Sequence, residues 1–181
     1  KAKRKGYRNT VLTRPASQFT ELGIKVIEQG LADPKLSEFY EAIQSASHQA
    51  TPSSLKPYIN YLSLCSDKVS DMEPPPIFYV GRESSQRLLF GDQWATPQAS
   101  SGPASGLRTP DPELEKASAD AYKAALNLQP YYGYARTLIS LNGETYEIAF
   151  ERLIVGINPA PTASYQICAY FGVIQDLQRR L

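Results

Sequence analysis

Tyrosine is the residue type in this chain that most clearly suggests ligand chemistry. The chain has 12 tyrosines, and a tyrosine side chain combines an apolar ring with one polar hydroxyl, which suits a pocket for a mostly apolar ligand with a hydrogen-bonding group. The same residues also serve in ordinary core packing, so both interpretations stay open. Many of them fall in or beside segments that read as β-strands: Tyr79, Tyr131, Tyr132, Tyr134, Tyr146, Tyr165 and Tyr170.

Two arginines add a positive charge to this candidate site. Arg136 and Arg152 lie on two segments that read as adjacent strands of a hairpin, where they could face each other and bind an acidic ligand, although solvent-exposed arginines are common. The predicted ligand-binding residues are therefore Tyr79, Phe90, Tyr134, Arg136, Tyr146, Arg152 and Tyr170.

Acidic side chains on the same segments predict a solvated surface. Strand alternation places Glu147 and Glu151 on one face, and carboxylates at that spacing are typical of the wet outer face of a sheet. The single histidine, His48, has no neighbouring nucleophile motif, so no catalytic residue is assigned. Cys65 and Cys168 lie far apart without metal-ligand spacing, which predicts no metal site and no disulfide framework.

Length and charge set broad limits on the class of protein. A chain of 181 residues predicts one domain plus an N-terminal extension. The net charge of +1 makes nucleic acid an improbable partner, since such domains carry a clear basic excess. The basic cluster within residues 1–8 indicates a solvated terminus or, alternatively, a tether to nucleic acid or acidic lipid. The sequence has no apolar run near 18 residues, so no membrane association is expected, and the unpaired cysteines favour the cytoplasm.

The last third of the chain predicts an antiparallel meander. Three apolar, β-branched and aromatic segments span residues 131–177, and Asn142-Gly143 joins the first two. Asn-Gly between two such segments favours a tight hairpin, because both central residues must adopt positive φ.

Helices and one short strand are predicted upstream. The spacing predicts a helix from residue 17 to Gly30 and another that starts at Asp33-Pro34 and presents Leu36, Phe39, Tyr40 and Ile43 on one side. A short helix over 58–64, a strand over 77–80, a helix over 82–90 and a helix from Asp111-Pro112-Glu113 follow. The Pro-, Gly- and Ser-rich segment 92–110 is predicted to be a loop, and a loop of this length could act as a lid.

The order of these elements resembles a PAS domain. The likeness spans residues 33–177 and includes the strand and helix that contain Tyr79, Gly81, Arg82, Leu88, Phe90 and Gly91, similar to the segment ending in an "lfG" turn in PAS sequences. A more particular resemblance is to bacterial single-domain PAS-like regulators, in which a helix precedes the core. The resemblance implies an α+β fold with a five-stranded antiparallel sheet, helices covering one face and a ligand cavity between them. It also implies a partly helical N-terminal extension, residues 1–32, before a domain over 33–181.

This resemblance implies a sensory or regulatory module of bacterial signal transduction. Such a module binds a small-molecule ligand or a signalling protein, and a homodimer is possible. Neither the cysteine context of flavin-binding PAS domains nor a haem ligand in the expected cavity is evident, so the cofactor stays unknown. Two alternatives remain: a small enzyme with a Tyr/Arg/Glu pocket on a curved sheet, and a protein-interaction module without a pocket.

Overall fold

The computed structural model of the chain describes residues 17–48, 52–96 and 106–180. The expectations for residues 1–16, and for the part of the possible lid over 97–105, lie outside the described residues. The strands are β1 (Gln18–Glu21), β2 (Leu62–Cys65), β3 (Ile77–Val80), β4 (Tyr131–Leu141), β5 (Glu144–Ile157) and β6 (Ile167–Arg179). The helices are α1 (Ile24–Glu28), α2 (Pro34–Ser45), α3 (Pro52–Leu55), α4 (Ser85–Ala95) and α5 (Pro112–Leu126), with a 3₁₀ turn over Ile59–Tyr61.

The predicted C-terminal meander is confirmed. Strands β4, β5 and β6 pair antiparallel over most of their lengths. Asn142 and Gly143 both adopt positive φ, 52° and 78°, as a tight hairpin between twisted strands requires. All neighbouring strands are antiparallel, in the order β1-β4-β5-β6-β2-β3.

The sheet has six strands rather than the expected five. The additional strand is β1, in a segment predicted to be helical, and it pairs with Gly133–Arg136 of β4. The exposed edge of β4 supplies the backbone partners that make this segment extended, and Gly23, at φ 80°, separates it from α1. The predicted helix over residues 17–30 is thus reduced to Ile24–Glu28.

Leu62–Cys65 is also a strand rather than the end of a short helix. It lies between β3 and β6 in the sheet, and all of its residues are buried. The helical conformation that was predicted over 58–64 is limited to the 3₁₀ turn Ile59–Tyr61. Pairing on both edges decides the conformation here, because a central strand satisfies its backbone groups on both sides.

Helices pack against both faces of the sheet, whereas the resemblance implied one covered face. Alternation along β5 sends Leu153, Val155 and Ile157 to one side, where they pack with α2, and we call this side the α2 face. Ile154 points to the opposite side, where α5 packs, and we call it the α5 face.

Helix α2, which covers the α2 face, forms as its sequence predicts. Asp33 caps α2, because its Oδ1 accepts hydrogen bonds from Lys35 N at 2.9 Å and Leu36 N at 3.1 Å. The helix buries its apolar side against the α2 face, through the four residues expected from their spacing, Leu36, Phe39, Tyr40 and Ile43.

The opposite layer consists of α4 and α5, which lie close to the sheet. A methyl group at Gly156 of β5 would collide with the Ala125 carbonyl of α5, and one at Gly172 of β6 would collide with the Ser85 hydroxyl of α4. Both helices therefore depend on strand positions that lack a side chain. Asp111 caps α5 by accepting a hydrogen bond from Leu114 N at 3.1 Å, as the sequence predicted.

Candidate ligand-binding site

A cavity lies between the α5 face of the sheet, the helices α4 and α5, and the segment 106–109. It has two adjoining compartments of about 30 Å³ each, which is room for one or two water molecules in each. Both compartments are lined by Gln86, Thr109, Leu114, Phe150 and Tyr170, so they lie side by side.

The two compartments differ in chemistry. We call the first the polar compartment, because its remaining lining includes Glu115, Ser118, Tyr122 and Arg152. The second is the apolar compartment, and most of its remaining lining is hydrocarbon or aromatic: Leu89, Phe90, Ile139, Ile148 and Ile174. A cavity with an apolar body and a few convergent polar groups is the usual form of a small-molecule site.

Arg152 is the charged residue at the centre of the polar compartment. The residue is only 3% exposed. Its Nη1 donates a hydrogen bond of 2.7 Å to Ser118 Oγ, and Ser118 in turn donates to the Leu114 carbonyl oxygen at 2.7 Å. None of the ion pairs formed by the described residues includes Arg152.

Three aromatic rings surround the same guanidinium group. Its central carbon lies 5.4 Å from the ring centroid of Tyr131, 5.7 Å from that of Phe19 and 5.8 Å from that of Phe150. Each ring can stabilise the cation through its negative face, by about 0.5–2 kcal/mol depending on desolvation. The rings also orient the side chain, so the guanidinium group is held in place without a carboxylate.

Gln86 contributes a second polar group that lacks a protein partner. The residue is 8% exposed, lies in the first turn of α4 and lines both compartments. Its Oε1 is buried and accepts no hydrogen bond from the described residues. A buried carbonyl oxygen without a donor costs about 1–3 kcal/mol, so this atom favours a ligand that carries a donor.

The hydroxyl groups in the cavity keep their protons at neutral pH. Burial raises the pKa of Tyr122 well above its ordinary value, and it also raises the pKa of Tyr170, in both cases against the opposing effect of Arg152. Burial likewise raises the pKa of Glu115, against the effect of Arg108. The tyrosines can thus donate hydrogen bonds to a ligand at neutral pH.

The wall formed by residues 106–109 is tied to neighbouring elements. Leu107 and Ile77 exchange two backbone hydrogen bonds, of 2.7 Å and 3.0 Å, which extends the edge of β3. Trp94 of α4 donates from Nε1 to the Arg108 carbonyl oxygen at 2.8 Å. This segment therefore has a defined position beside the cavity.

The seven predicted ligand-binding residues are divided between the two faces. Phe90, Arg152 and Tyr170 line the cavity. Tyr134 and Arg136 belong to the α2 face, where Arg136 donates hydrogen bonds to Glu147 at 2.7 Å and to the Tyr134 hydroxyl at 3.4 Å.

The two others also lie away from the cavity. Tyr79 packs against the α2-face core. Tyr146 lies beside the hairpin turn and donates from its hydroxyl to Glu144 at 3.2 Å.

The expectation that Arg136 and Arg152 face each other is wrong. Arg152 is paired with Gly133, and Arg136 is paired with Ala149, so the two arginines differ by an odd number of positions along the hairpin and point to opposite faces. Gly133 leaves the position opposite Arg152 without a side chain, which is where the Tyr131 ring lies.

Glu147 and Glu151 do share one face, but that face is not a wet surface at Glu151. Glu151 is only 5% exposed. Helix α2 and the residues before it cover this part of the sheet, because Asp33 N donates to both carboxylate oxygens of Glu151, at 3.2 Å and 3.3 Å. Glu147 forms ion pairs with Arg136 and Arg180 nearer the hairpin end.

Sequence reasoning did not single out Gln86, Ser118, Tyr122 or Glu115. One signal was present for two of them: Ser118 and Tyr122 are four residues apart on α5 and share a side with Ala121 and Ala125 that packs on the sheet. Gln86 carried no comparable signal, because one glutamine in a first helical turn is usually exposed.

A second concave region lies at the edge of β6. It is a wider open groove of about 280 Å³, bordered by α2, α4 and Phe171–Ile174 of β6. Its lining holds no buried polar atom without a partner among the described residues. The groove is therefore the larger space, and the cavity on the α5 face is the one whose lining includes a residue with a buried polar atom without a partner, Gln86.

Across residues 17–48, 52–96 and 106–180 no His, Cys, Asp and Glu side chains gather into a group that could hold a metal ion. In the same ranges no helix has both the length and the apolar character needed to cross a membrane. Comparison of the chain with models of protein families, with curated proteins and with solved structures gives no match.

Proposed function

We propose that the chain is a non-catalytic sensory or regulatory module of the PAS type, which binds a small molecule in the cavity on the α5 face. The observation that carries this proposal is the cavity itself, which places a buried guanidinium group without a carboxylate partner among the described residues beside an apolar compartment. Strands β2–β6 form five consecutive antiparallel strands of one sheet, with α4 and α5 over one face, and this supports the PAS-like comparison.

Binding is favoured over catalysis by the chemistry of the lining. No histidine or cysteine lines the two compartments, and the tyrosine hydroxyls stay protonated because burial raises their pKa. The single histidine, His48, lies elsewhere, with its Nδ1 3.2 Å from the Gly156 carbonyl oxygen. The described cavity lining thus lacks a nucleophile with an adjacent general base.

A ligand in the cavity would touch both covering helices, and this provides a route for signalling. Gln86, Leu89 and Phe90 belong to α4, while Leu114 and Ser118 belong to α5. A ligand that binds one relative arrangement of α4 and α5 more tightly would shift the population toward it. A signalling partner would then read the position of these helices.

Native mass spectrometry of the purified protein, with two neighbouring leucine variants, tests this proposal. Leu89 lines the apolar compartment, whereas Leu88, the preceding residue in α4, is 68% exposed and lines the open groove at β6 instead. We expect the wild-type protein and Leu88→Trp to retain a small molecule that denaturation releases, and Leu89→Trp to retain none, because the indole fills the compartment. The proposal fails if wild-type protein retains nothing and no small apolar compound raises its melting temperature.

A further inference from the structure

We propose that Cys65 and Cys168 form a disulfide bond between β2 and β6 when the protein meets an oxidant of the low-molecular-weight disulfide class, such as glutathione disulfide. They are the two cysteines of the chain, and both are free thiols in this structure. Their distance in the sequence predicted no disulfide framework, but the sheet brings them together. The inference does not depend on the ligand of the cavity on the α5 face.

The first observation is the register of β2 against β6. The two strands are antiparallel, and Cys65 is paired directly with Cys168. Directly opposite residues of an antiparallel pair have Cα atoms about 4.5–5.5 Å apart and side chains on the same face. A disulfide needs a Cα separation of about 4.4–6.8 Å, so the two backbones already lie within the required range.

The second observation is the surroundings that the two thiols share. Both cysteines are 0% exposed, and they belong to one buried cluster on the α5 face, together with Ile154, Tyr122 and Ala125. Burial raises the pKa of Cys65 to about 12 and also raises the pKa of Cys168, which the neighbouring Cys65 raises further. An uncharged disulfide suits this apolar cluster, whereas a thiolate does not.

The third observation is that the backbone can adjust at Cys65. This residue is the last of β2, and the pairing of β2 with β3 is irregular between Leu64 and Cys65. The connection that follows is exposed over residues 67–73 except at Val69. Local opening of this end of β2 would therefore admit the oxidant without unfolding the rest of the sheet.

The reaction consists of two thiol–disulfide exchanges. Cys65 loses its proton to solvent, and its thiolate attacks one sulfur of glutathione disulfide, which breaks that S–S bond, forms a mixed disulfide and releases one glutathione. The thiolate of Cys168 then attacks the Cys65 sulfur and releases the second glutathione. The two cysteines together lose two electrons and two protons, and one glutathione disulfide becomes two thiols. The exchange is slow, because burial keeps both cysteines protonated.

The disulfide would enclose the elements that cover the α5 face. It closes a loop of about 100 residues, which contains β3, α4, α5, β4 and β5. A cross-link over a loop of this length lowers the entropy of the unfolded chain, so the oxidised protein should be more stable than the reduced protein. The oxidation state of the pair thus controls the stability of the part of the chain that carries α4 and α5.

Equilibration of the full chain in glutathione redox buffers, with and without urea, tests the inference. Each equilibrium is approached from reduced and from oxidised protein. Mass spectrometry after acid quenching detects the disulfide as the loss of two hydrogen atoms and as a peptide pair that joins Cys65 to Cys168. We expect the equilibrium constant for the disulfide to be at least about tenfold larger in folded than in urea-unfolded protein. The oxidised protein should melt about 5 °C or more above the reduced protein.

Cys168→Ala is the matched control, because it keeps one thiol and cannot form the bond. Its melting temperature should be the same in both redox buffers. The comparison of folded and unfolded wild-type protein needs no variant, so it decides the question even if Cys168→Ala does not fold. An equilibrium constant in folded protein no larger than in urea, or an oxidised form that melts at or below the reduced form, would overturn the inference. Neither result would bear on the cavity.

Discussion

Glu151 and Arg152 are consecutive residues of β5, and both are almost fully buried, at 5% and 3% exposure. Strand alternation sends Glu151 to the α2 face and Arg152 to the α5 face. The carboxylate of Glu151 accepts hydrogen bonds from Asp33 N, from Gln175 Nε2 at 2.9 Å and from the Tyr132 hydroxyl. Arg152, by contrast, forms one hydrogen bond within the part of the chain that the structure describes, to Ser118, and has three aromatic rings around it.

This difference separates a charge whose hydrogen bonds hold several elements together from a charge with a single described hydrogen bond. The donors to Glu151 come from the start of α2, from β4 and from β6, so the carboxylate connects three elements. Gln175 is the extra residue at the bulge in β6, between the paired positions Ile174 and Asp176, and the bulge directs its side chain to Glu151. Among the described residues Arg152 bonds only to Ser118 of α5, and it lines the polar compartment.

Removal of the Glu151 carboxylate should have the largest effect on stability. Glu151→Ala leaves the Asp33 amide, the Tyr132 hydroxyl and the Gln175 amide without an acceptor, so we expect the free energy of unfolding to fall by about 3 kcal/mol or more. Urea denaturation measures this change. The control is Glu38→Ala, since Glu38 is an exposed partner of Lys35 and should contribute less than about 1 kcal/mol. Equal effects of the two variants would contradict the structural role of Glu151.

Removal of one donor to Glu151 should have a smaller effect. Tyr132→Phe deletes the hydroxyl that bonds the carboxylate but keeps the buried ring, and the two remaining donors still satisfy Glu151 in part. We expect a loss of about 1.5 kcal/mol in the free energy of unfolding, measured in the same urea titration. In the Glu151→Ala background the same substitution should cost clearly less, because the hydrogen bond is already absent.

The substitution of Arg152 should change stability least, even though the residue is as buried as Glu151. Arg152→Met removes the cost of burying a charge together with the ring contacts and one hydrogen bond that offset it, so the variant is expected to stay within about 1 kcal/mol of wild type in urea denaturation. A loss of stability as large as that of Glu151→Ala would mean that Arg152 is a structural residue and would remove the contrast.

Alkaline pH should lower the stability of the protein through one buried group on each face, Tyr132 and Cys65. Burial and then the hydrogen bond with Glu151 raise the pKa of Tyr132 above its ordinary value of 10.0, whereas burial raises the pKa of Cys65, on the α5 face, from 9.0 to about 12. Each group therefore contributes stability that is fully present below its unfolded pKa and is lost as the pH rises toward its folded pKa.

Urea denaturation at intervals between pH 8 and pH 11 measures these contributions. Wild-type protein should lose stability from about pH 9 upward. Cys65→Val should lose less stability than wild type as the pH rises from about 9. Tyr132→Phe should lose less stability than wild type as the pH rises from about 10. In both variants the plot of unfolding free energy against pH should be less steep than in wild type. A slope unchanged in both variants would show that other groups govern the alkaline transition.

Local patterns in the sequence were sufficient to predict several elements. The Asn142-Gly143 turn, the three strands of the meander and the Asp33-capped helix each depend on residues close together in the chain, and all are confirmed. β1 and β2 were not predicted as strands, because their conformation depends on pairing with β4 and β6, more than 100 residues away. Long-range pairing overrides short-range spacing in such segments.

The candidate site shows the same division. The set of seven predicted residues contained Arg152, Tyr170 and Phe90, which line the cavity, but the other four lie away from it. Alternation shows which residues of a single strand share a face. It does not show which face of the next strand they share, and that required the register of the hairpin, in which Gly133 is paired with Arg152.

The sequence by itself determined that β5 carries a charge within an apolar stripe. Every second side chain of a strand points to the same face, which is a local property of the backbone. One face of β5 therefore carries Ile148, Phe150, Arg152 and Ile154, and Glu151 points to the other. Only the tertiary structure decided which charge is satisfied. The donors that reach Glu151 include Asp33, which lies 118 positions away, whereas no described carboxylate pairs with Arg152, because the elements that pack on its side bring rings, a serine hydroxyl and a cavity instead.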